Sequence, residues 1–290
     1  MQNRFSIRYS LIFRMRLLIA SALLLLSPLL SAELLSLRGE PAPGALLVGR
    51  SSPDARVWLD DKPLRVGPSG HFIFGFGRDE SGERLLRIEH DGRQLERVIT
   101  LAPRQWDIQR VDGVPARTVT PPPEQLERIR AEAALVRKAR ETDSDLPFFH
   151  GDFVWPASGR ISGVYGSQRV YNGKPGNPHL GVDIAAPTGS PVIAPAAGVV
   201  TLVHDDMFYS GGTLVIDHGF GLSSTFIHLH KVLVSEGQAV KQGDLIAEIG
   251  ASGRATGPHL DWRMNWYQER LDPQWFMRGM EAERVTAGTR

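Results

Sequence analysis

From about Glu33 to Val111 hydrophobic and polar residues alternate in short runs, Ala55 to Leu59, His71 to Phe76, Leu85 to His90 and Leu95 to Leu101, broken by turn residues such as Asp60-Asp61 and Asp91-Gly92. A period of two belongs to half-buried strands, so the pattern predicts a small all-β, sandwich-like module over residues 33–111. Asp91-Gly92 joins two of these runs and suits a tight hairpin, because Gly accepts the positive φ that a type I′ turn demands. Trp58, Phe72, Phe74 and Phe76 are its expected core.

Pro121-Pro122-Pro123 then marks a stiff boundary within a linker over 112–147. From Glu124 to about Thr142 the period lengthens: Leu126, Ile129, Ala133 and Val136 recur at three- and four-residue steps, which predicts an amphipathic helix. Glu127, Arg128, Glu132, Arg137 and Arg140 fall on its other face and are expected in solvent, giving the helix a linking or packing role.

Beyond Asp143 the helical period disappears. Ile161 to Tyr165, Val192 to Leu202, Thr213 to Asp217, Ser224 to His230 and Leu245 to Ile249 are rich in β-branched residues and separated by glycines. These runs predict a compact, mainly antiparallel β domain over 148–277, followed by a tail over 278–290. No phosphate-loop or dinucleotide fingerprint occurs among the glycines. The expected fold class is therefore mainly β, two β units joined by one helix.

At the other end, Arg4, Arg8, Arg14 and Arg16 precede an apolar run from Leu17 to Leu30 and then Ser31-Ala32-Glu33. The run is about fourteen residues, shorter than the roughly 20 that span a bilayer, so residues 1–32 are expected to be a secretory signal cleaved after Ala32. No stable membrane span is expected after cleavage. The rest would lie across the inner membrane, in a periplasm.

Composition narrows the chemistry. A net charge of +1 gives no reason to expect nucleic acid as a partner. The chain has no cysteine, which excludes disulfides, thiolate metal sites and thiol nucleophiles, so any metal must sit on His, Asp or Glu. His179-Leu180-Gly181-Val182-Asp183 sets an imidazole and a carboxylate four residues apart, with Gly181 letting the chain bend between them. In a strand, side chains two apart share a face, so His259 pairs with Asp261 and His228 with His230. Four of the nine histidines thus fall in three places of one domain. His71 and His90 have no other ligand type nearby in sequence, His204 and His150 have no supporting spacing, and His218 fits a hydrogen-bonded turn; all are expected to be structural or exposed, as is His230.

Gly159 to Gly166, His179 to Asp183, Pro187 to Val192, Ala194 to Val200, Phe226-Ile227-His228-Leu229 and Gly257-Pro258-His259-Leu260 together resemble the lysostaphin-type (LytM-like) cell-wall metalloendopeptidases, over roughly residues 155–275. The resemblance implies an antiparallel β-sheet domain with an open groove, one Zn2+ per chain, and hydrolysis of peptide bonds in peptidoglycan stems or bridges. It implies His179 and Asp183 as the first two ligands, and His228 and His259 as catalytic histidines beside the ion. Tyr171, upstream of His179, is a further candidate for binding the oxyanion.

One position departs from the family pattern. The last motif usually reads His-x-His, whereas here it is His259-Leu260-Asp261, so Asp261 stands where the third ligand is expected. A carboxylate can bind zinc, at about 2.0–2.2 Å. Two carboxylates cancel the charge of the ion and should weaken its hold on water, which predicts a weaker or pH-shifted hydrolase, or a preference for a harder metal. The leading expectation is an exported zinc endopeptidase acting on peptidoglycan peptide stems. The alternative is a non-catalytic relative that activates a separate cell-wall amidase. A third expectation makes the module at 33–111 the binding end and the second half its support.

Overall fold

A computed structural model of the chain describes residues 35–111 and 123–277; the expected signal at 1–32, the linker residues 112–122 and the tail at 278–290 lie outside the described residues. The first strands are β1 (Ser36–Arg38), β2 (Leu46–Arg50), β3 (Arg56–Leu59), β4 (Lys62–Leu64), β5 (His71–Gly75), β6 (Glu83–His90) and β7 (Arg93–Thr100). They make two antiparallel sheets, β1-β2-β5 and β4-β3-β6-β7, with Leu47, Val57, Phe72, Phe74, Leu86 and Ile88 buried. Asp91 and Gly92 both have positive φ, at 49° and 69°, as the hairpin between β6 and β7 requires. Trp58 departs from expectation. It is only half-buried, because its ring lies under the guanidinium groups of Arg56 and Arg87 at 5.6 and 4.9 Å.

The chain continues through β8 (Ile108–Val111), the helix α1 (Leu126–Arg140), β9 (Arg160–Gly163), β10 (Gln168–Tyr171), β11 (Lys174–Pro175), β12 (Val182–Ala185) and β13 (Pro191–Ile193). It closes with β14 (Gly198–Met207), β15 (Gly211–Gly219), β16 (Leu222–Val232), β17 (Ala239–Val240), β18 (Leu245–Ile249), β19 (His259–Trp266) and β20 (Glu269–Leu271). The main sheet runs β17-β14-β15-β16-β19-β12-β9, with β13, β18 and β20 attached at its side, and is antiparallel throughout. The mainly β, antiparallel class expected from the sequence is the class observed.

The two faces of this sheet are chemically different, and that difference positions the site. Leu214, Ile216, Leu222, Phe226, Leu260, Trp262 and Met264 point to one face, where they join Phe72, Phe74, Phe76 and Leu271 in a single apolar cluster. The amino-terminal module is thus packed onto this face, with Gly75 against Leu271 so closely that a Cβ there would lie 2.7 Å from a Leu271 methyl. Each large apolar side chain buried this way contributes about 1.5–3 kcal/mol. Residues of opposite parity, Thr225, Asp261, Arg263 and Asn265, point to the other face.

Helix α1 covers part of that second face through Val136 and Ala139 on Leu202, Met207 and Val215. Its buried side is rotated from the one its apolar spacing suggests: Leu126 and Ala133 are exposed, and Glu132 and Arg140 are buried. Glu132 is drawn inward because one carboxylate oxygen accepts the Phe208 N–H at 2.8 Å and the other accepts from Arg128 at 2.6 Å. A hydrogen-bonding need at the sheet edge outweighs amphipathic period here.

β8 was invisible to pattern, since four residues reading Ile-Gln-Arg-Val carry too little alternation. It pairs in parallel with β10, Gln168 opposite Ile108, and with β11 forms a small sheet beside the main one. The segment leaving the first module therefore borders the carboxy-terminal domain directly. Among the described residues no helix is long and apolar enough to cross a membrane.

Candidate metal and catalytic site

β12 and β19 are neighbours, and their register sets Asp183 directly opposite Asp261 and Ala185 opposite His259. His179 precedes β12 and is fixed by two backbone hydrogen bonds, its N–H to the Ser167 carbonyl at 2.8 Å and its carbonyl to the Gly166 N–H at 2.7 Å. His179 Nε2 then lies 3.2 Å from Asp183 Oδ1, with His259 Nε2 at 3.8 Å from the same oxygen. Ligand atoms of His179, Asp183 and Asp261 all fall within 4.8 Å of one another. The three residues singled out as ligands converge on one point.

Two glycines make this convergence possible. A Cβ on Gly163 would sit 2.2 Å from Asp183 Oδ2, and one on Gly181 would sit 2.4 Å from Asp261 Oδ1. Gly181 is therefore needed for space beside Asp261, where the sequence had suggested a bend between His179 and Asp183.

His228 and His259 complete the cluster, with ring centroids 4.8 Å apart and tilted at 49°. His228 Nδ1 faces the Ser252 carbonyl and His259 Nδ1 faces the Gly257 carbonyl, both at 2.8 Å. A carbonyl oxygen only accepts, so in each ring Nδ1 carries a proton and Nε2 is the atom left toward the groove. Burial holds the His228 pKa below the ordinary imidazole value, despite the Ser252 bond and the Asp261 charge. His228 itself has φ +64°, an uncommon conformation for a non-glycine residue, and its N–H donates to the Ser210 carbonyl at 2.8 Å.

That backbone turn overturns one expectation. His228 and His230 do not share a face: the left-handed residue and the register shift after Leu229 break the period of two, leaving His228 buried and His230 exposed. Of the other histidines, His218 is fully buried between the Ala197 carbonyl and the Ser224 hydroxyl, and His71 stacks on His150 at 4.2 Å. His90 does have ligand types beside it, contrary to expectation: Asp91, its next neighbour in the sequence, and Asp54, brought in by the fold. Asp54 and Asp91 flank its ring at 3.4 and 3.3 Å, in an exposed arrangement.

Electrostatics bind the cluster together. Burial opposes a charge on His179, but the neighbouring Asp183 and Asp261 carboxylates outweigh it and raise the pKa. Asp261 is buried, which alone would favour its neutral form, yet Arg263 holds it well below the usual carboxylate range. Arg263 Nε donates to Asp261 Oδ1 at 2.9 Å and a terminal nitrogen donates to Oδ2 at 2.5 Å. Sequence reasoning did not single out Arg263, although its place two residues beyond Asp261 on one strand was a sufficient signal. Farther along the same polar face, burial and neighbouring arginine charges lower Arg270 to about 9 and Arg140 to about 8.

The cluster opens into a groove of about 730 Å³, bordered by Tyr171 and Arg169 of β10, Gln109 of β8, Tyr209 and Arg254. Tyr171 is thus in the groove with His179 and His259. The residues present also fit a metal ion by an independent sign: the buried His179 Nε2 and Asp183 Oδ1 face each other at 3.2 Å but make no well-formed hydrogen bond, to each other or to any other group. An imidazole with two carboxylates is a donor set suited to a borderline dication such as zinc.

An antiparallel sheet with an apolar face sealed by a second module, and a polar face carrying imidazoles and carboxylates in an open groove, is the arrangement that the resemblance to lysostaphin-type peptidases implies. Residues 177–273 match the model of peptidase family M23, and the chain carries a domain of that family. Over 87 residues it is 45% identical to peptidoglycan DD-endopeptidase ShyB of Vibrio cholerae, covering 30% of this chain and 20% of that one. Over 148 residues it is 29% identical to the cell division protein DipM of Caulobacter vibrioides, 51% of this chain and 23% of that one. The crystal structure of an M23 peptidase candidate from Pseudomonas aeruginosa superposes with a TM-score of 0.61 at 29% identity, covering 82% of this chain and 94% of that chain. The chain spans about a fifth of the length of the curated relatives it matches first.

Proposed function

We propose that this protein is an exported zinc metalloendopeptidase that hydrolyses peptide cross-links of bacterial peptidoglycan in the periplasm. His179, Asp183 and Asp261 are its metal ligands, and His228 and His259 its catalytic histidines. One observation carries the reading: two buried polar atoms that make no well-formed hydrogen bond, on His179 and Asp183, converge with the Asp261 carboxylate at the floor of an open groove. The similarity to a protein named as a peptidoglycan DD-endopeptidase supplies the substrate class.

When bound, the ion supplies Lewis acidity toward the scissile carbonyl and the attacking water. The chain's own residues do the rest. His228 and His259, each held through Nδ1 by a carbonyl, present Nε2 to the groove. One takes the proton of the attacking water and the pair is placed to return it to the leaving amine. The lowered pKa of His228 keeps it neutral near pH 7, as a base requires. Tyr171 and Arg169 line the wall along which a peptide stem would lie. In this reading residues 148–277 form the peptidase unit, residues 33–111 a supporting module, and residues 112–147 the connection.

The Asp261–Arg263 pair favours a second reading, because a carboxylate already satisfied by an arginine gains less from a metal. That reading is a non-catalytic protein that binds wall peptide and activates a separate amidase. Metal content and release of soluble fragments from purified peptidoglycan distinguish the two. About one zinc per chain, with fragments released by the protein and not by His179→Ala or His259→Ala, supports the enzyme. No metal and no release, with stimulation of an added amidase, supports the regulator.

A further inference from the structure

Asp261 is the buried member of the ligand cluster, and both of its oxygens accept from one guanidinium. Arg263 is paired side-on, through Nε and one terminal nitrogen, with its side chain a quarter exposed along the groove floor and no other carboxylate within ion-pair distance among the described residues. Each carboxylate oxygen has two lone pairs, so this clasp leaves Asp261 able to bind a cation while fixing its plane. Before any metal enters, the donor set of His179, Asp183 and Asp261 carries two negative charges, and Arg263 reduces this to one.

We propose that Asp261 and Arg263 act as one unit, a positioning residue and its carboxylate that together stand in for a neutral ligand and set the affinity of the site for a dication. With a dication bound, the cluster including Arg263 carries one net positive charge, the same as a site made of two imidazoles and one carboxylate. This rests on the metal-site reading above, and it revises the expectation that a second carboxylate leaves the ion neutralised. Arg263 supplies the compensating charge at a distance fixed by its own strand, since residues two apart on β19 share a face. Outer groups of this kind change metal affinity by about 10–100-fold.

The unit makes its two members separable in sign. Arg263→Gln removes a positive charge close to the ion and should tighten zinc binding about tenfold. Asp261→His installs a good ligand but strands the Arg263 charge beside the ion, so it should weaken binding by a similar factor. Asp261→His with Arg263→Gln should return close to the original affinity. Arg263→Lys keeps the charge without the two-pronged clasp and should stay near the original affinity.

The test measures zinc stoichiometry and dissociation constants by chelator competition in the full chain and these four variants, with circular dichroism to verify folding. Opposite shifts in the singles and cancellation in the double establish the unit. If Arg263→Gln leaves affinity unchanged or weakens it, and the double variant is merely the sum of two losses, Arg263 only supports the fold and the proposal fails. Zinc held by Arg263→Gln but not by the unmodified protein would uphold the unit while overturning the enzyme reading. Zinc held by none of the proteins overturns both.

Discussion

Asp183 and Asp261 face each other across the β12–β19 ladder, two carboxylates at directly paired positions. Like charges placed so are destabilising unless something answers them. Two groups do: His179 beside Asp183 and Arg263 on Asp261. The fold thus holds an electrostatic cost at one point of its polar face, where a peptidase of this family would use it.

The closeness of the two carboxylates to glycine backbone gives the first prediction. Gly163→Ala and Gly181→Ala each place a methyl group within 2.4 Å of a carboxylate oxygen of Asp183 or Asp261. Overpacking of this kind costs about 1–3 kcal/mol, and here the yielding group is the ligand. Zinc affinity measured by chelator competition should fall about tenfold to a hundredfold, with the circular dichroism spectrum unchanged. Gly257→Ala, whose new methyl meets nothing within 4 Å, is the control and should bind as the parent does.

His228 supplies the second. Its φ of +64° is tolerated by Asn but strained for a β-branched residue, by about 1–2 kcal/mol. His228→Asn and His228→Val should both lose peptidoglycan hydrolysis, because neither offers an imidazole. Urea unfolding should find the Asn variant close to the parent and the Val variant about 1–2 kcal/mol weaker. Equal stability of the two would remove strain from the description of this residue.

Much of this architecture was legible in advance, and the failures have common causes. The strands were readable from alternation, and the convergence of His179, Asp183 and Asp261 was anticipated from the motif resemblance together with face-sharing on a strand. Pattern failed wherever a local hydrogen bond or charge overrode it. His230 left the face of His228 because one left-handed residue breaks the period. Glu132 turned inward to meet the Phe208 N–H, rotating the buried side of α1. Trp58 stays half-buried beneath two arginines, and β8 was too short to alternate. Arg263 could have been found by extending to the next alternate position the same argument that paired His259 with Asp261.

Helix α1 offers the third prediction, one that concerns stability apart from the groove. Glu132→Ala leaves the Phe208 N–H without its acceptor and releases Arg128. A buried polar group left unsatisfied costs about 1–3 kcal/mol. Denaturant unfolding should report a loss of that size, while zinc stoichiometry remains that of the parent. Metal loss in this variant would mean that α1 helps hold the site in register through β14 and β15.

His218 gives a pH dependence that can be isolated from the site. It is fully buried; burial pulls its pKa from 6.5 to about 4 despite the Ala197 carbonyl, which receives Nδ1–H, while Nε2 meets the Ser224 hydroxyl. The folded protein therefore refuses a proton that the unfolded chain accepts between pH 6.5 and about 4. Because the unfolded state binds more protons in that window, stability rises with pH across it and is lost as pH falls. Between pH 7 and pH 5 the contribution of this one residue should drop by about 2 kcal/mol. His71, His150 and His228 are lowered as well, while His179 and Asp217 are raised, so the unmodified protein reports their sum. The difference between it and His218→Gln, followed by urea unfolding at both pH values, isolates the term. A slope that is the same in both proteins would show that His218 is protonated in the folded state, and the hydrogen bond assigned to Ser224 would then have to run from the imidazolium to the hydroxyl oxygen.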